Sequence, residues 1–262
     1  MISNEHKIYL KKIKYKNILI KIIQILIITI FIFIWQLLAD LNLINTFISS
    51  SPKQVLNTLI MLNSNGSLYH HIWVTFYETL ISFSLGTLLG ILIASILWWN
   101  KFIAKIIDPF LTILNSLPKV ALGPIIIIWA GANIKSIILM ALLISTIITI
   151  ININQGFNET DINKIRLMKS FKANKFQIFS KLILPNNYSN IINSLKINIS
   201  MSLIGVIMGE FLVSKEGIDY LIMYGSQVFN LNLVITGILL LAILSAIMYY
   251  IISYIEKRLI KN

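Results

Sequence analysis

Long apolar runs, separated by short polar connections, dominate the pattern of this chain. A helix needs about 20 apolar residues to cross the hydrocarbon core of a bilayer, and most of the runs reach that length. The predicted spans are residues 18–38, 79–99, 103–129, 136–151, 191–213 and 231–252. The first is longer than the apolar core of a signal peptide, and no small-residue cleavage site follows it, so we expect it to be retained. The pattern predicts an all-α membrane protein with six transmembrane helices.

Two of these spans carry polar or helix-breaking residues. The third is interrupted by Pro118, Lys119 and Pro124, and the fifth contains Lys196 and Glu210. Broken backbone and charge persist within a bilayer only where protein or water satisfies them, so both interruptions are candidates for function. The predicted residues of a translocation path are Ser116, Pro118, Lys119 and Glu210.

Each intramembrane charge also has a structural interpretation. Lys119 either binds an anionic solute or satisfies carbonyl groups that the prolines leave free, and we favour the second. Glu210 either gates the outer mouth or, as we prefer, caps backbone amides or pairs with Lys215. Gly86 and Gly90 are four residues apart in the second span, a spacing that lets two helices approach closely.

Composition excludes several classes of function. Hydrophobic residues make up 57% of the 262 residues and the mean hydropathy is +0.82, which exceeds what a soluble core needs. The net charge of +12 lies between apolar runs, so it indicates contact with anionic membrane lipids rather than with nucleic acid. With no cysteine and three histidines, a metal site is not expected. No cluster of catalytic side chains is evident either, so an enzyme embedded in the membrane is a minor alternative.

The distribution of lysine and arginine predicts the orientation, because cytoplasmic connections carry the excess of these residues. If the basic N-terminal segment 1–17 is cytoplasmic, eighteen basic residues lie inside and three lie outside. The inner set is Lys7, Lys11, Lys12, Lys14, Lys16, Lys21, Lys101, Lys105, Lys164, Arg166, Lys169, Lys172, Lys175, Lys181, Lys196, Lys257, Arg258 and Lys261. The outer set is Lys53, Lys135 and Lys215. Both termini are therefore predicted to be cytoplasmic.

The longest inner connection, residues 152–185, has amphipathic character. Apolar residues recur at three- and four-residue steps in two groups, with lysines on the remaining faces. The groups are Ile162, Ile165, Met168 and Phe171, then Phe176, Phe179, Leu182 and Ile183. This spacing predicts two short helices with a break near residues 172–174, the second ending at Pro185. Such a segment either lies on the anionic leaflet or inserts apolar side chains into a groove on a partner.

Three stretches resemble the membrane permease subunits of ATP-binding-cassette (ABC) importers, in the branch of the nitrate, sulfonate and taurine permeases. The first, IRLMKSFKANKFQIFSKLILP at residues 165–185, is similar to that family's main cytoplasmic loop, with the ending at Leu184 and Pro185. The others are DPFLTILNSLPKVALGPIIIIWAG at 108–131 and GEFLVSKEGIDYLIMYGSQVFN at 209–230. The resemblance covers about residues 55–258. Lys172 stands where the family has glycine, so the turn is either helical throughout or strained at Lys172.

The resemblance implies the type I importer fold, with the central loop coupling the chain to an ATPase. The residues it places at the coupling contact are Met168, Lys169, Ser170, Phe171, Lys172 and Ala173. No phosphate-binding G-x-x-x-x-G-K-[ST] motif occurs in the chain, so ATP and Mg²⁺ are expected on two copies of a partner ATPase and no cofactor on this chain. The other implied partners are an extracytoplasmic solute-binding protein and a second copy of the permease in a homodimer, with a related second permease as the alternative, in a bacterial cytoplasmic membrane.

The expected function is therefore the permease subunit of an importer for a small solute, either a sulfonate-, nitrate- or taurine-like anion or a vitamin precursor. A secondary transporter or a channel working without an ATPase is the alternative. It would need more intramembrane ionisable groups than this sequence provides.

Overall fold

Helices make up nearly all of the structure, a computed structural model that describes the backbone of residues 4–260 and the side chains of residues 12–258. The helices are α1 (Asn4–Asp40), α2 (Thr46–Ser49), α3 (Pro52–Ser64), α4 (Ser67–Trp99), α5 (Lys101–Ser116), α6 (Gly123–Ala130), α7 (Ile134–Asn158), α8 (Ile162–Ser170), α9 (Lys175–Ile178), α10 (Leu184–Asn186), α11 (Tyr188–Val213), α12 (Ile218–Gln227) and α13 (Leu231–Ile260). A 3₁₀ turn (Lys119–Leu122) precedes α6, and a π-helical turn (Phe179–Ile183) joins α9 to α10. Among the basic residues predicted at the termini, the side chains of Lys7 and Lys11 lie outside the described range, and Lys261 lies outside the described residues altogether.

Within the described residues, five helices are long and apolar enough to cross a membrane, and each contains one predicted span: α1, α4, α7, α11 and α13. The third predicted span is divided: α5 and the segment Lys119–Ala130 meet at an angle of 93°. Pro118 has no N–H group for a helical hydrogen bond, which explains the break at this point. If the bent pair counts as one crossing, the described residues contain six crossings, as predicted, and the predicted interruption of the third span is a sharp bend.

The centre of the bundle is α7, which packs against α4 on one side and α11 on the other. Glycines allow both approaches. A methyl group added at Gly86 would overlap the Ser145 side chain, and one added at Gly90 would overlap Thr149. On the other side, an added methyl at Gly205 would overlap the backbone of Ala141. The predicted close packing at Gly86 and Gly90 is confirmed, and the partner helix is α7.

This packing gives a first testable prediction. Gly86→Leu should lower the free energy of unfolding by about 1–3 kcal/mol, because the added side chain overfills a tightly packed helix contact. Ser84→Leu, on an exposed position of the same helix, is the matched control and should change it by less than about 0.5 kcal/mol. Thermal unfolding of the purified protein in detergent measures both. Equal melting temperatures for the two variants would contradict the α4–α7 contact.

At both ends of the bundle, helices continue into, or form within, the segments that connect the predicted spans. Helix α7 continues to Asn158, beyond the predicted end of its span, because Ile153 and Phe157 remain buried in the core while polar residues take the outer face. The connecting loop therefore occupies residues 159–187. We call the end of the bundle that carries it the loop end. At the opposite end lie α2, α3 and α12, within segments predicted to be polar connections.

Candidate functional site

The loop 159–187 is closed at its base by a buried hydrogen-bonded side chain. The Asn187 amide donates to the Thr160 hydroxyl at 2.8 Å and to the carbonyl of Ile183 at 2.9 Å. Lys164 adds a contact across the same base by donating to the Asn186 side chain at 3.2 Å. Because both ends of the loop are tied together next to α7 and α11, the loop is anchored to two membrane-spanning helices.

Phe179 forms the centre of an aromatic cluster that ties the loop to α4 and α7. Its ring centroid lies 4.9 Å from that of Trp98, 5.9 Å from Trp99 and 5.6 Å from Phe157. Lys175 donates to the carbonyl of Trp99 and lies 5.7 Å from the centre of its ring. Aromatic pairs at these separations each contribute about 0.5–1.5 kcal/mol beyond their buried area. The loop is thus bound to the ends of the second and fourth spans.

Under the aromatic cluster, the loop has a small apolar core of its own. Ile178 and Ile183 are buried against Ala94, Ile153 and Phe157 of the spans. Ile165, Met168 and Ala173 are partly buried against the same core. Met168 and Ala173, two of the predicted coupling residues, therefore support the loop from inside. The other predicted coupling residues, Lys169, Ser170, Phe171 and Lys172, are exposed.

The predicted break between the two short helices is present, and Lys172 adopts a left-handed conformation there, with φ of 59°. The Ala173 N–H donates to the carbonyl of Met168 at 3.1 Å, and the Lys172 N–H donates to the carbonyl of Lys169 at 2.9 Å. These two bonds define a Schellman motif, the helix ending that normally uses glycine at the left-handed position. The turn is therefore not helical throughout, and a lysine occupies a position where a Cβ atom is unfavourable.

A substitution at this turn gives the second prediction. Lys172→Gly should raise the free energy of unfolding by about 1 kcal/mol, since glycine adopts positive φ without steric cost. Lys169→Gly, inside α8, should instead lower it by about 1 kcal/mol. The melting temperatures of the two variants test this pair. A loss of stability in Lys172→Gly similar to that in Lys169→Gly would rule out the left-handed turn.

The end of the loop differs from the expected proline stop. Pro185 lies within α10, so the chain remains helical to Asn186. The π-helical turn before it changes the hydrogen-bond pattern by one residue, which accommodates a residue that has no N–H group. Leu184 is partly buried against the loop core, whereas Pro185 is exposed.

Large apolar side chains remain on the outer surface of the loop. Phe171 is 74% exposed and Phe176 65% exposed, and Leu167 and Ile162 are also exposed. The loop also carries five exposed lysines: Lys164, Lys169, Lys172, Lys175 and Lys181. Exposed phenylalanines beside polar residues are characteristic of surfaces that bind a partner. Sequence reasoning missed Leu167, which lies outside the three-residue repeat.

A second candidate site is a polar stripe on α5, the first half of the broken span. Its members follow helical spacing and continue into the turn at Pro118: Lys105, Asp108, Thr112, Asn115, Ser116 and Lys119. The other face of α5 packs through Leu111 against Leu97 and Ile150. The stripe is uncovered in a single chain. Two of the predicted path residues, Ser116 and Lys119, belong to this stripe, and the break at Pro118 lies between them.

Lys119 also has the structural role that we favoured. Its Nζ donates at 2.7 Å to the carbonyl of Asn115. This carbonyl would accept the Lys119 backbone N–H if α5 continued as a regular helix. The lysine therefore caps the broken helix with its own side chain, at the end of the polar stripe.

Glu210, the remaining predicted path residue, is fully buried at the opposite end of the bundle. Its Oε2 accepts the N–H of Asp219 at 2.9 Å in the first turn of α12, and Gly217 approaches the carboxyl closely with φ of 101°. The preferred interpretation as a cap of backbone amides agrees with this contact. Lys215 is not its partner within the described side chains.

The acidic residue that follows, Asp219, lies outside the membrane-spanning helices and is also buried. Burial, together with the neighbouring Glu210 carboxyl, raises the pKa of Asp219 to about 8. His71 of α4 accepts the Gly217 N–H at 3.1 Å. His70 contacts Glu216 at 3.0 Å. The structure thus gathers residues around position 75 with residues around position 215, which no local sequence signal indicated.

Comparison with known proteins identifies the kind of chain that has this architecture. Residues 86–261 match the family model described as the binding-protein-dependent transport system inner membrane component. The chain is 26% identical over 232 residues to a Bacillus subtilis protein named as an aliphatic sulfonates transport permease, SsuC, covering 88% of this chain and 84% of that protein. It is 27% identical over 187 residues to the formylaminopyrimidine transport permease ThiX of Halalkalibacterium halodurans, covering 71% and 74%.

A solved structure shares the fold. The inward-facing structure of the MetNI methionine ABC transporter matches with a TM-score of 0.66 at 17% identity, over 76% of this chain and 97% of the matched chain. The arrangement of spans around α7 and the loop is therefore the type I importer permease fold.

Proposed function

The chain belongs to the family of binding-protein-dependent transport system inner membrane components, and from this premise we propose that the loop 159–187 is its docking site for an ATPase. The protein is the multi-pass permease subunit of an ABC importer rather than an enzyme. ATP and Mg²⁺ bind to the partner ATPase, of which two copies act on a permease pair. The loop end of the bundle and both termini face the cytoplasm.

The proposal rests on the two sides of the loop: the side that faces the spans is packed against them, and the side that faces away exposes apolar side chains. Energy can pass between subunits only through a contact that differs between two conformational states. The Phe179 cluster and the tie between Asn187 and Thr160 hold the loop to α4, α7 and α11. The exposed side chains of Phe171, Leu167 and Phe176 form the apolar surface that enters a groove on the ATPase. Lys169, Ser170 and Lys172 form the rim of this contact.

The polar stripe of α5 supports a paired permease. A helix face that carries Lys105, Asp108 and Ser116 would be costly in contact with lipid, so this face requires contact with water or with another protein chain. In a homodimer the two stripes face a shared path, with the break at Pro118 and Lys119 at its narrow part. Glu210 is buried away from this path, and its contribution is to hold α12.

The cargo is a small solute that an extracytoplasmic binding protein delivers to the opposite end of the bundle. The relatives named above are permeases for aliphatic sulfonates and for formylaminopyrimidine. A sulfonate-like anion and a pyrimidine vitamin precursor are therefore the two classes of cargo proposed. Lys119 at the break would favour the anion through charge attraction.

The direct test is isolation of the tagged permease from cells that express its genomic neighbours. We expect a P-loop ATPase to be retained, and proteoliposomes containing the complex to take up a sulfonate or a formylaminopyrimidine only when ATP is supplied with the binding protein. Uptake by the permease alone, driven by an ion gradient, would overturn the proposal in favour of a secondary transporter.

A further inference from the structure

Three carboxyl groups meet in the interior of the protein at the end opposite the loop. They belong to Glu78 of α4, Glu210 of α11 and Asp219 of α12, with 2%, 0% and 4% of their surfaces exposed. Glu78 and Glu210 lie within hydrogen-bonding reach of each other, and Thr75 lies within reach of Glu210. The Thr75 hydroxyl also accepts the Ile218 N–H at 2.8 Å. The cluster therefore connects two spans to the first turn of α12.

Each of the three carboxyl groups keeps one oxygen without a hydrogen-bond partner. These atoms are Glu78 Oε2, Glu210 Oε1 and Asp219 Oδ2. A buried acceptor without a donor is costly, and a buried carboxylate without a counter-charge is more so. Protonation removes the charge and turns the same group into a donor. A proton between Glu78 and Glu210 would give both residues the partner that they lack.

The groups around the cluster do not supply a positive charge in contact with it. Among residues 12–258 the ion pairs are His70–Glu216 and Lys196–Glu256, and neither includes a member of the cluster. On α4, His71 already accepts the Gly217 N–H, and in the loop that joins α11 to α12, Lys215 and Glu216 line the same cleft as Glu78. On α12, the ring of Tyr220 stacks on that of His71 at 6.0 Å. The acidic side chains within this described range do not form a group suited to a metal ion.

Protons can reach the cluster from the surface. A cleft of about 510 Å³ is lined by Glu78 together with Trp73, Tyr77, Asn133, Lys215 and Glu216. It opens beside the loop that joins α11 to α12, at the end proposed to receive the solute. Since Lys215 and Glu216 stand at this opening, water there is continuous with the outer solution.

We propose that Glu78, Glu210 and Asp219 form a proton-binding site, and that its occupation seats α12 on α4 and α11. When the cluster loses its protons, two or three negative charges face one another within a buried contact and repel. The Glu210 cap on α12 remains, but the Glu210 carboxylate repels the carboxylates of Glu78 and Asp219. Helix α12 then loosens at the outer end. The site does not depend on the proposed ATPase contact, which lies at the other end of the bundle.

The direction of the pH effect follows from the proton balance. Asp219 has an ordinary pKa of 3.8, and in the folded protein this rises to about 8. The folded state therefore binds more protons than the unfolded state between these two values, and stability falls as pH rises through this window. The stabilising contribution is complete below about pH 4 and has been lost above about pH 8.

The experiment is a pH series of thermal unfolding on the full chain in nanodiscs, from pH 6 to pH 9. The unaltered protein should melt about 5 °C lower at pH 9 than at pH 6. Glu78→Gln, which supplies a neutral donor, should lose at least half of this difference. Asp40→Asn, an exposed carboxyl at the same end, should leave it unchanged. A pH response that is identical in the unaltered and Glu78→Gln proteins would overturn the proposal.

A second measurement keeps the proposal testable if Glu78→Gln fails to fold. Infrared difference spectra of the unaltered protein should show a protonated carboxyl band at pH 7 that disappears at pH 9, and Asp219→Asn should weaken it. Absence of such a band at pH 7 would overturn the proposal. Stabilisation at pH 9 by Na⁺ or Mg²⁺ alone, lost in Asp219→Asn, would also overturn it, because a metal ion rather than a proton would then neutralise the cluster.

Discussion

Replacement of Phe171 by alanine is expected to abolish ATP-driven uptake while the permease still folds and inserts. The side chain is 74% exposed and makes no contribution to the loop core, so its removal should change the free energy of unfolding by less than about 0.5 kcal/mol. If it is the central anchor of the ATPase contact, its loss should weaken that contact by at least about 2 kcal/mol, roughly 30-fold in affinity. Retention of the ATPase on tagged permease measures the contact, and ATP-dependent uptake in proteoliposomes measures transport. Thermal unfolding of the variant checks that it still folds.

Phe102 provides the matched control for this variant. It is also a phenylalanine that is 74% exposed, and it lies at the loop end of the bundle, in the first turn of α5. Phe102→Ala removes the same amount of apolar surface from a different place, so it should retain both the ATPase and uptake. Normal uptake in Phe171→Ala, or an equal loss in Phe102→Ala, would show that the loop surface is not the docking site.

Replacement of Phe179 by alanine is expected to have the largest effect on stability. Phe179 contacts Trp98, Trp99 and Phe157 at ring distances of 4.9, 5.9 and 5.6 Å, so its loss leaves a cavity where the loop meets two spans. Removal of a fully buried phenylalanine costs about 3–5 kcal/mol, and Phe179 is partly buried, so we expect a loss of about 3 kcal/mol. Coupling should fail as well, since a loop that has separated from α4 and α7 cannot transmit movement. Thermal unfolding and the ratio of uptake to ATP hydrolysis are the measurements.

Phe176, three positions before Phe179, is the control that distinguishes a loss of stability from a loss of ATPase docking. Phe176 is 65% exposed, and Phe176→Ala should leave the melting temperature within about 2 °C of the unaltered value. Phe179→Leu refills most of the cavity and should recover more than half of the stability that Phe179→Ala loses. If Phe176→Ala proves as destabilising as Phe179→Ala, then the loop is seated on a different face from the one described.

The apolar periodicity was sufficient to predict the spans, because lipid imposes a length and a polarity on every crossing helix. It also located the central loop and the break near Lys172. It could not distinguish Met168 from Phe171, which lie on the same three-residue repeat. Met168 faces the loop core and Phe171 faces outward, and this difference is set by contacts with α4 and α7 far away in sequence.

Other features depend on backbone geometry or on distant residues. The prolines predicted an interruption in the third span, but a bend of 93° depends on how α6 packs against α7. Lys172 was identified as a departure from glycine, yet only the hydrogen bonds to Met168 and Lys169 show that the turn is left-handed. The carboxyl cluster joins positions 78, 210 and 219, and from the sequence Glu78 is only a polar residue before a span.

Single-site cross-linking shows whether the outer surface of the loop touches the ATPase during transport. The chain contains no cysteine, so Phe171→Cys introduces the only thiol in the permease. With a thiol-linked photoreactive probe at this position, we expect a cross-linked product with the P-loop ATPase whose yield changes when ATP is added. The same probe at Phe102→Cys should give no such product. A probe at position 171 that labels only lipid, with or without ATP, would show that the loop is not the docking site.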